Sequence, residues 1–159
     1  MKKIVLILNL VLCSGVLHAQ LSEFDSLKNL LNSAQDDETK FKYANKLVGD
    51  YLYSLPDTAL IYIQQEILLA KKIKSDSALS IALIQCGILF EMTGNSPQAI
   101  QYGFDALKIA EHSKEIFPVT TAYYYLSSFY EDVEDYKDAL IYSIEAKDLF
   151  EKNAGIIFF

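Results

Sequence analysis

The chain has 159 residues, 52% of them hydrophobic and 22% charged, which supplies one domain with a packed interior and is too apolar for an extended disordered chain. Its net charge is −7 at neutral pH, and its fourteen basic residues are all lysines. With no basic face to release counterions and no guanidinium to read bases, nucleic acid is excluded as a partner, and an anionic membrane surface is disfavoured for the same reason.

At the N-terminus Lys2 and Lys3 precede the apolar run Ile4 to Leu12, and Leu17-His18-Ala19-Gln20 forms a small-residue exit. This is the pattern of a secretory signal cut after Ala19, and it places the protein outside the cytoplasm, in the periplasm or beyond. The run is interrupted by Asn9, is followed by Cys13-Ser14-Gly15, and falls short of the roughly 20 residues that span a bilayer. Cys13 follows Leu12 rather than the small residue that precedes a lipidated cysteine. A chain beginning at Gln20 keeps twelve lysines against 21 acids, a net charge of −9, with Cys86 as its single cysteine. No internal disulfide is then available, so stability must come from packing.

Apolar residues recur three and four apart throughout, with almost no strand-like alternation, so the expected fold is all-α with about seven helices after the signal segment. A first helix covers Ser22 to Ser33, with Phe24, Leu27, Leu30 and Leu31 on one stripe, and a second covers Asp37 to Tyr53. Pro56-Asp57 opens a third, which closes at Lys71-Lys72, and Ser75-Asp76-Ser77 caps a fourth that runs to Met92. Thr93-Gly94-Asn95-Ser96-Pro97 is a turn in which Gly94 stops one helix, Asn95 or Ser96 caps the next, and Pro97 fits its first turn. That fifth helix ends near Ser113, a sixth follows Phe117-Pro118 and reaches Glu131, and a seventh runs from Asp135 to near Lys152. The organisation read from these signals is a signal peptide (1–19), an N-terminal helix (20–36), three helix pairs (37–152) and an apolar tail (153–159).

Ala59, Ala99 and Ala139 stand forty residues apart in equivalent strings, and the second and third pairs agree in character over their length. Gly87 aligns with Ser127, Phe90 with Tyr130, Tyr102 with Tyr142, and Ala106 with Ala146. A small residue lets the partner helix approach, and the aromatic one turn later fills the gap beside it. This arrangement resembles the tetratricopeptide repeat (TPR): Leu83, Cys86-Gly87, Phe90, Ala99 and Ala106 in one unit, and Tyr123, Leu126-Ser127, Tyr130, Ala139 and Ala146 in the next. The first unit departs from it, with a turn one residue short and Glu66 where the second small residue belongs. Ile63, Gly103 and Ser143 occupy the position of the family's bulky residue, and the closing Pro is absent. A period near 40 also suits HEAT-like pairs, but the small-then-aromatic spacing favours the TPR. The resemblance implies a right-handed α-solenoid, and the chain looks like the extracytoplasmic N-terminal region of bacterial sensor histidine kinases or LuxR-type regulators.

No catalytic constellation emerges. There is no Gly-rich phosphate loop and no nucleophile elbow, so the chain is read as a non-enzyme without cofactor, and a secreted helical enzyme is the remote alternative. Cys86 sits in a core register, and His112 near a helix end suits the dipole there. The run Glu131-Asp132-Val133-Glu134-Asp135 lacks the alternating ligands and central glycine of a calcium loop, so no metal is expected. In the resembled family the first helix of each pair lines the partner groove. That places Ile81, Ile84, Ile88, Glu91, Thr121, Tyr124, Ser128 and Glu131 on the binding side, an apolar-to-acidic surface suited to an amphipathic helix or an extended segment of basic character. Ala59, Gly87, Phe90, Ala99, Ala106, Ser127, Tyr130, Ala139 and Ala146 are assigned to structure. The expected function is a protein-interaction module, either the input part of a signalling protein that continues into a membrane span or a complete small secreted adaptor. The period stops after three pairs without a polar capping helix, which favours the first.

Overall fold

The computed structural model describes residues 25–157, with side chains placed to residue 153. The expected signal segment, Cys13 and the last two residues of the tail lie outside that range. Among the described residues there are seven helices and no strand: α1 (residues 25–33), α2 (Asp37–Tyr51), α3 (Pro56–Lys72), α4 (Asp76–Met92), α5 (Ser96–Ser113), α6 (Ile116–Asp132) and α7 (Tyr136–Ile157). None of them is long and apolar enough to cross a membrane.

The helices form three antiparallel pairs, α2/α3, α4/α5 and α6/α7, and each pair rests on the next through α3 against α4 and α5 against α6. In the last two pairs α4 also packs against α6, while α5 meets α7 through Phe104, whose ring lies edge-on to Tyr142 with centroids 5.9 Å apart. Ala59, Ala99 and Ala106 are fully buried, and Ala139 and Ala146 nearly so. α4 is buried on most of its circumference, because both neighbouring pairs press on it.

Aromatic stacking braces each pair. Tyr51 lies on Tyr62 with ring centroids 5.9 Å apart, Phe90 on Tyr102 at 5.4 Å, and Tyr130 on Tyr142 at 5.4 Å. The later two stacks are related by forty residues at both positions, while Tyr51 stands one residue out of step. Residues 52–55 absorb that difference: this connection holds no left-handed residue, whereas the four that follow turn through Lys74, Gly94, Lys114 and Glu134, all with positive φ and spaced by twenty. The short turn in the first unit therefore changes the connection and leaves the stack in place.

Of the caps expected from the sequence, Ser75 closes its helix with a side-chain bond and Asn95 does not. Asp36 accepts from Thr39 N at 2.7 Å, and Ser75 Oγ accepts from Ala78 N at 3.1 Å. Asn95 occupies the cap position of α5, yet its amide bonds Gln98 Oε1 at 2.9 Å instead of closing the helix, and Ser96 donates to Asp132 of the following pair. Several boundaries differ from the sequence reading, the end of α2 at Tyr51 rather than Tyr53 among them. α6 begins at Ile116, ahead of Pro118, because the third helical position has no intrahelical partner for its N–H and loses nothing to a proline. α7 continues past Lys152 to Ile157. Asn153 Nδ2 donates to Leu149 O at 2.7 Å along the helix.

Candidate functional site

The eight residues assigned to the partner surface divide by burial. Ile84 and Ile88 are buried, at 3% and 5% exposure, and belong to the packed core, so a partner cannot reach them. Ile81, Glu91, Thr121 and Ser128 are half-buried, and Tyr124 and Glu131 are exposed. Ser128 Oγ donates to Glu91 Oε1 at 3.0 Å across the α4–α6 contact. Burial raises the Glu91 carboxyl above its ordinary range; Ser128 offsets this, and nearby Asp132 adds to it. Those two groups therefore tie units together. Thr121 Oγ1 donates back to Phe117 O at 2.8 Å, and Tyr124 meets Tyr125 edge-on with ring centroids 5.2 Å apart.

Thr121, Tyr124 and Glu131 come together in one place, a groove of about 670 Å³ between α6 and α7. Its floor holds Ser127, Ser143 and Ala146, and Phe117, Tyr124 and Phe150 stand exposed around it. Three large exposed aromatics around an apolar trough mark a surface that gains by being covered. Reading the sequence for the inner face alone could not find Phe150, Ser143 or Lys147, which lie on the second helix of the pair. The available signal was Gly103: its equivalent forty residues on is Ser143, so the small residue that departs from the family pattern returns in the groove floor. A smaller groove of about 300 Å³ lies among α3, α4 and α5, lined by Ile67, Leu83 and Ile109 with Lys71, Lys108 and Asp105 at its polar edge.

The residues weighed for chemistry have structural partners. The Cys86 thiol is buried and pushed up to about 11, first by burial and then by the neighbouring Glu66, so it is held as a neutral thiol. His112 Nδ1 donates to Lys108 O at 2.7 Å in the last turn of α5. In the acidic run Asp132 accepts from Ser96 and Asp135 accepts from Asp138 N. Among the described residues no three His, Cys, Asp or Glu side chains are grouped as metal ligands.

A family model, the SusR N-terminal TPR domain, matches residues 17–154. The chain belongs to this TPR family. The TPR fold is also that of the TPR domain of Arabidopsis FLU, which superposes with a TM-score of 0.63 at 20% identity, over 73% of this chain and 98% of that one. No curated relative matches the chain in sequence. TPR domains are in general non-catalytic and bind other proteins or peptides, so this TPR chain is a protein-interaction module.

Proposed function

We propose that this TPR chain is the partner-binding input region of an exported signalling protein, one that holds another protein or peptide by contact alone. The observation that carries the reading is the open apolar groove between α6 and α7, which Thr121, Tyr124 and Glu131 line together with the exposed Phe117 and Phe150. Two further facts support it. The matching family is described as an N-terminal domain, which suits a sensory part joined to an effector, and the first twenty residues have the pattern of a cleaved signal. The acidic balance and Glu131 at the groove favour a partner of basic or neutral apolar character.

Residues 20–159, immobilised and exposed to the extracytoplasmic fraction, are expected to retain a protein that the Tyr124→Ala chain loses while its melting temperature stays unchanged. Equal retention by both chains would move the partner surface elsewhere. For export, N-terminal sequencing of the protein recovered outside the cytoplasm should begin at Gln20, and recovery from the cytoplasm with Met1 in place would overturn that part of the reading.

A further inference from the structure

The groove of about 300 Å³ among α3, α4 and α5 has a counterpart in register forty residues on, among α5, α6 and α7. Its apolar lining returns there, Ile67 as Leu107, Leu79 as Val119 and Ile109 as Leu149. Two things change. Leu83 becomes Tyr123, whose ring stacks on Tyr142 of α7 with centroids 6.2 Å apart, and whose hydroxyl is raised by burial first and then by Glu111 and Glu145. A ring held between α5 and α7 takes up the room that Leu83 leaves open. The charges also change sign: Lys71 becomes Glu111 and Lys108 becomes Asp148, while Asp105 stays acidic as Glu145. Among the described residues neither the Lys71 nor the Lys108 ammonium has an ion-pair or hydrogen-bond partner, and both side chains are exposed. Asp105 accepts from Gln101 Nε2 at 3.1 Å, one turn back on its own helix, and from neither lysine. Ile67, Leu79, Leu83 and Ile109 are half-buried, so the floor is apolar and within reach of a ligand.

We propose that the α3/α4/α5 groove binds a small amphiphilic monoanion, a free aliphatic carboxylate whose chain lies on Ile67, Leu83 and Ile109 and whose head group meets Lys71 and Lys108. The aliphatic body follows from the floor, which offers branched side chains and no aromatic face. The length follows from the volume: about 300 Å³ holds about ten heavy atoms at the roughly 30 Å³ that a water molecule takes up in the liquid, the size of octanoate. That is too small for the tail of a membrane lipid, so the occupant is a free acid. The single charge follows from the rim, where two lysines and Asp105 leave one net positive charge, enough for a carboxylate and not for a doubly charged phosphate. The chain's net charge of −7 repels an anion at a distance, but that repulsion is screened beyond about 8 Å at physiological ionic strength, and a ligand in the groove meets the lysines inside that range. The site shares no residue with the α6/α7 groove and stands independently of the partner reading.

Isothermal titration calorimetry of the native chain with straight-chain carboxylates, below the concentrations at which they form micelles, tests the site. Affinity is expected to rise about fourfold per added methylene from butanoate to octanoate and to stop rising by dodecanoate. Octylammonium, with the same chain and the opposite charge, should bind about tenfold more weakly than octanoate. The Lys71→Glu, Lys108→Asp double variant gives this groove the charges of its counterpart at two exposed positions, and should reverse that preference while keeping its melting temperature. Leu83→Tyr, which copies Tyr123, should bind neither ligand; if that variant does not fold, the charge variant decides alone. No binding of octanoate by the native chain, or the same preference in the charge variant, would overturn the site. An affinity that goes on rising to dodecanoate would mark adsorption to apolar surface or to a lipid phase and overturn it equally.

Discussion

Glu66 places a carboxylate where the later units have a methyl group, since Ala106 and Ala146 hold the same register forty and eighty residues on. It is fully buried, neither carboxylate oxygen has a hydrogen-bond partner, and burial pushes it up to about 8, with the Asn45 side chain pulling weakly the other way. Its ordinary value is 4.5, so below that pH both folded and unfolded chains hold the proton. Between 4.5 and about 8 the unfolded chain releases it and the folded chain does not, so this group's stabilisation falls as pH rises and is gone above about 8. At about 1.4 kcal/mol per pH unit, the fall amounts to a few kcal/mol over the window. Urea midpoints between pH 5 and 8 should therefore decline for the native chain and flatten in Glu66→Gln; parallel declines would mean that Glu66 is not the group responsible. Two glycines supply a second contrast. Gly49 is exposed in α2 with nothing within 4 Å of an added Cβ, so Gly49→Ala should stabilise by about 1 kcal/mol through helix propensity. Gly87→Ala gains the same propensity but drives a methyl group into the Phe129 ring, and a net loss of about 1–2 kcal/mol is expected in the same melts.

At the scale of elements, the connections explain what the sequence disclosed and what it hid. Gly94 was legible as a helix stop because glycine adopts positive φ without cost. The same turn recurs at Lys74, Lys114 and Glu134, where the chain pays for the geometry with a side chain that disfavours it and so carries no local signal. Each of Lys74→Gly, Lys114→Gly and Glu134→Gly should raise stability by roughly 0.5–1 kcal/mol, measured by thermal melting, and a loss at any of them would show that its side chain contributes more than the backbone costs. The helices themselves were readable because the three-and-four periodicity and the cap at Ser75 agree. Burial was not readable, since Ile84 and Tyr124 share a register and differ only in whether another helix lies over them. Periodicity reports which face of a helix is turned inward, and it takes the stacking of pairs to decide which inner face is shut. For the candidate site, that meant Thr121, Tyr124 and Glu131 were found from the sequence, whereas Ser143, Lys147 and Phe150 required the second helix of the pair to be in place.

The whole molecule is a row of pairs in which each contacts its neighbours, so the consequence of a defect depends on where in the row it falls. Ala99 and Ala139 are equivalent, both buried, and both intolerant of a charge, which in an unpaired buried position costs on the order of 3–5 kcal/mol. Ala99 lies in the central pair, on which both the first and last pairs rest, and its carbonyl would lie 3.2 Å from a Cβ built on Gly87. Ala99→Asp should therefore remove the support of all three pairs and abolish cooperative folding. Ala139 lies in the α6/α7 pair, whose far side is the open groove. Ala139→Asp should release α7 and loosen α6 while α2 to α5 keep their packing and most of their amide protection. Hydrogen exchange followed by mass spectrometry separates the two outcomes, with uniform exchange in the first variant and exchange confined to residues 116–157 in the second. Uniform exchange in both would mean that the row behaves as a single cooperative body.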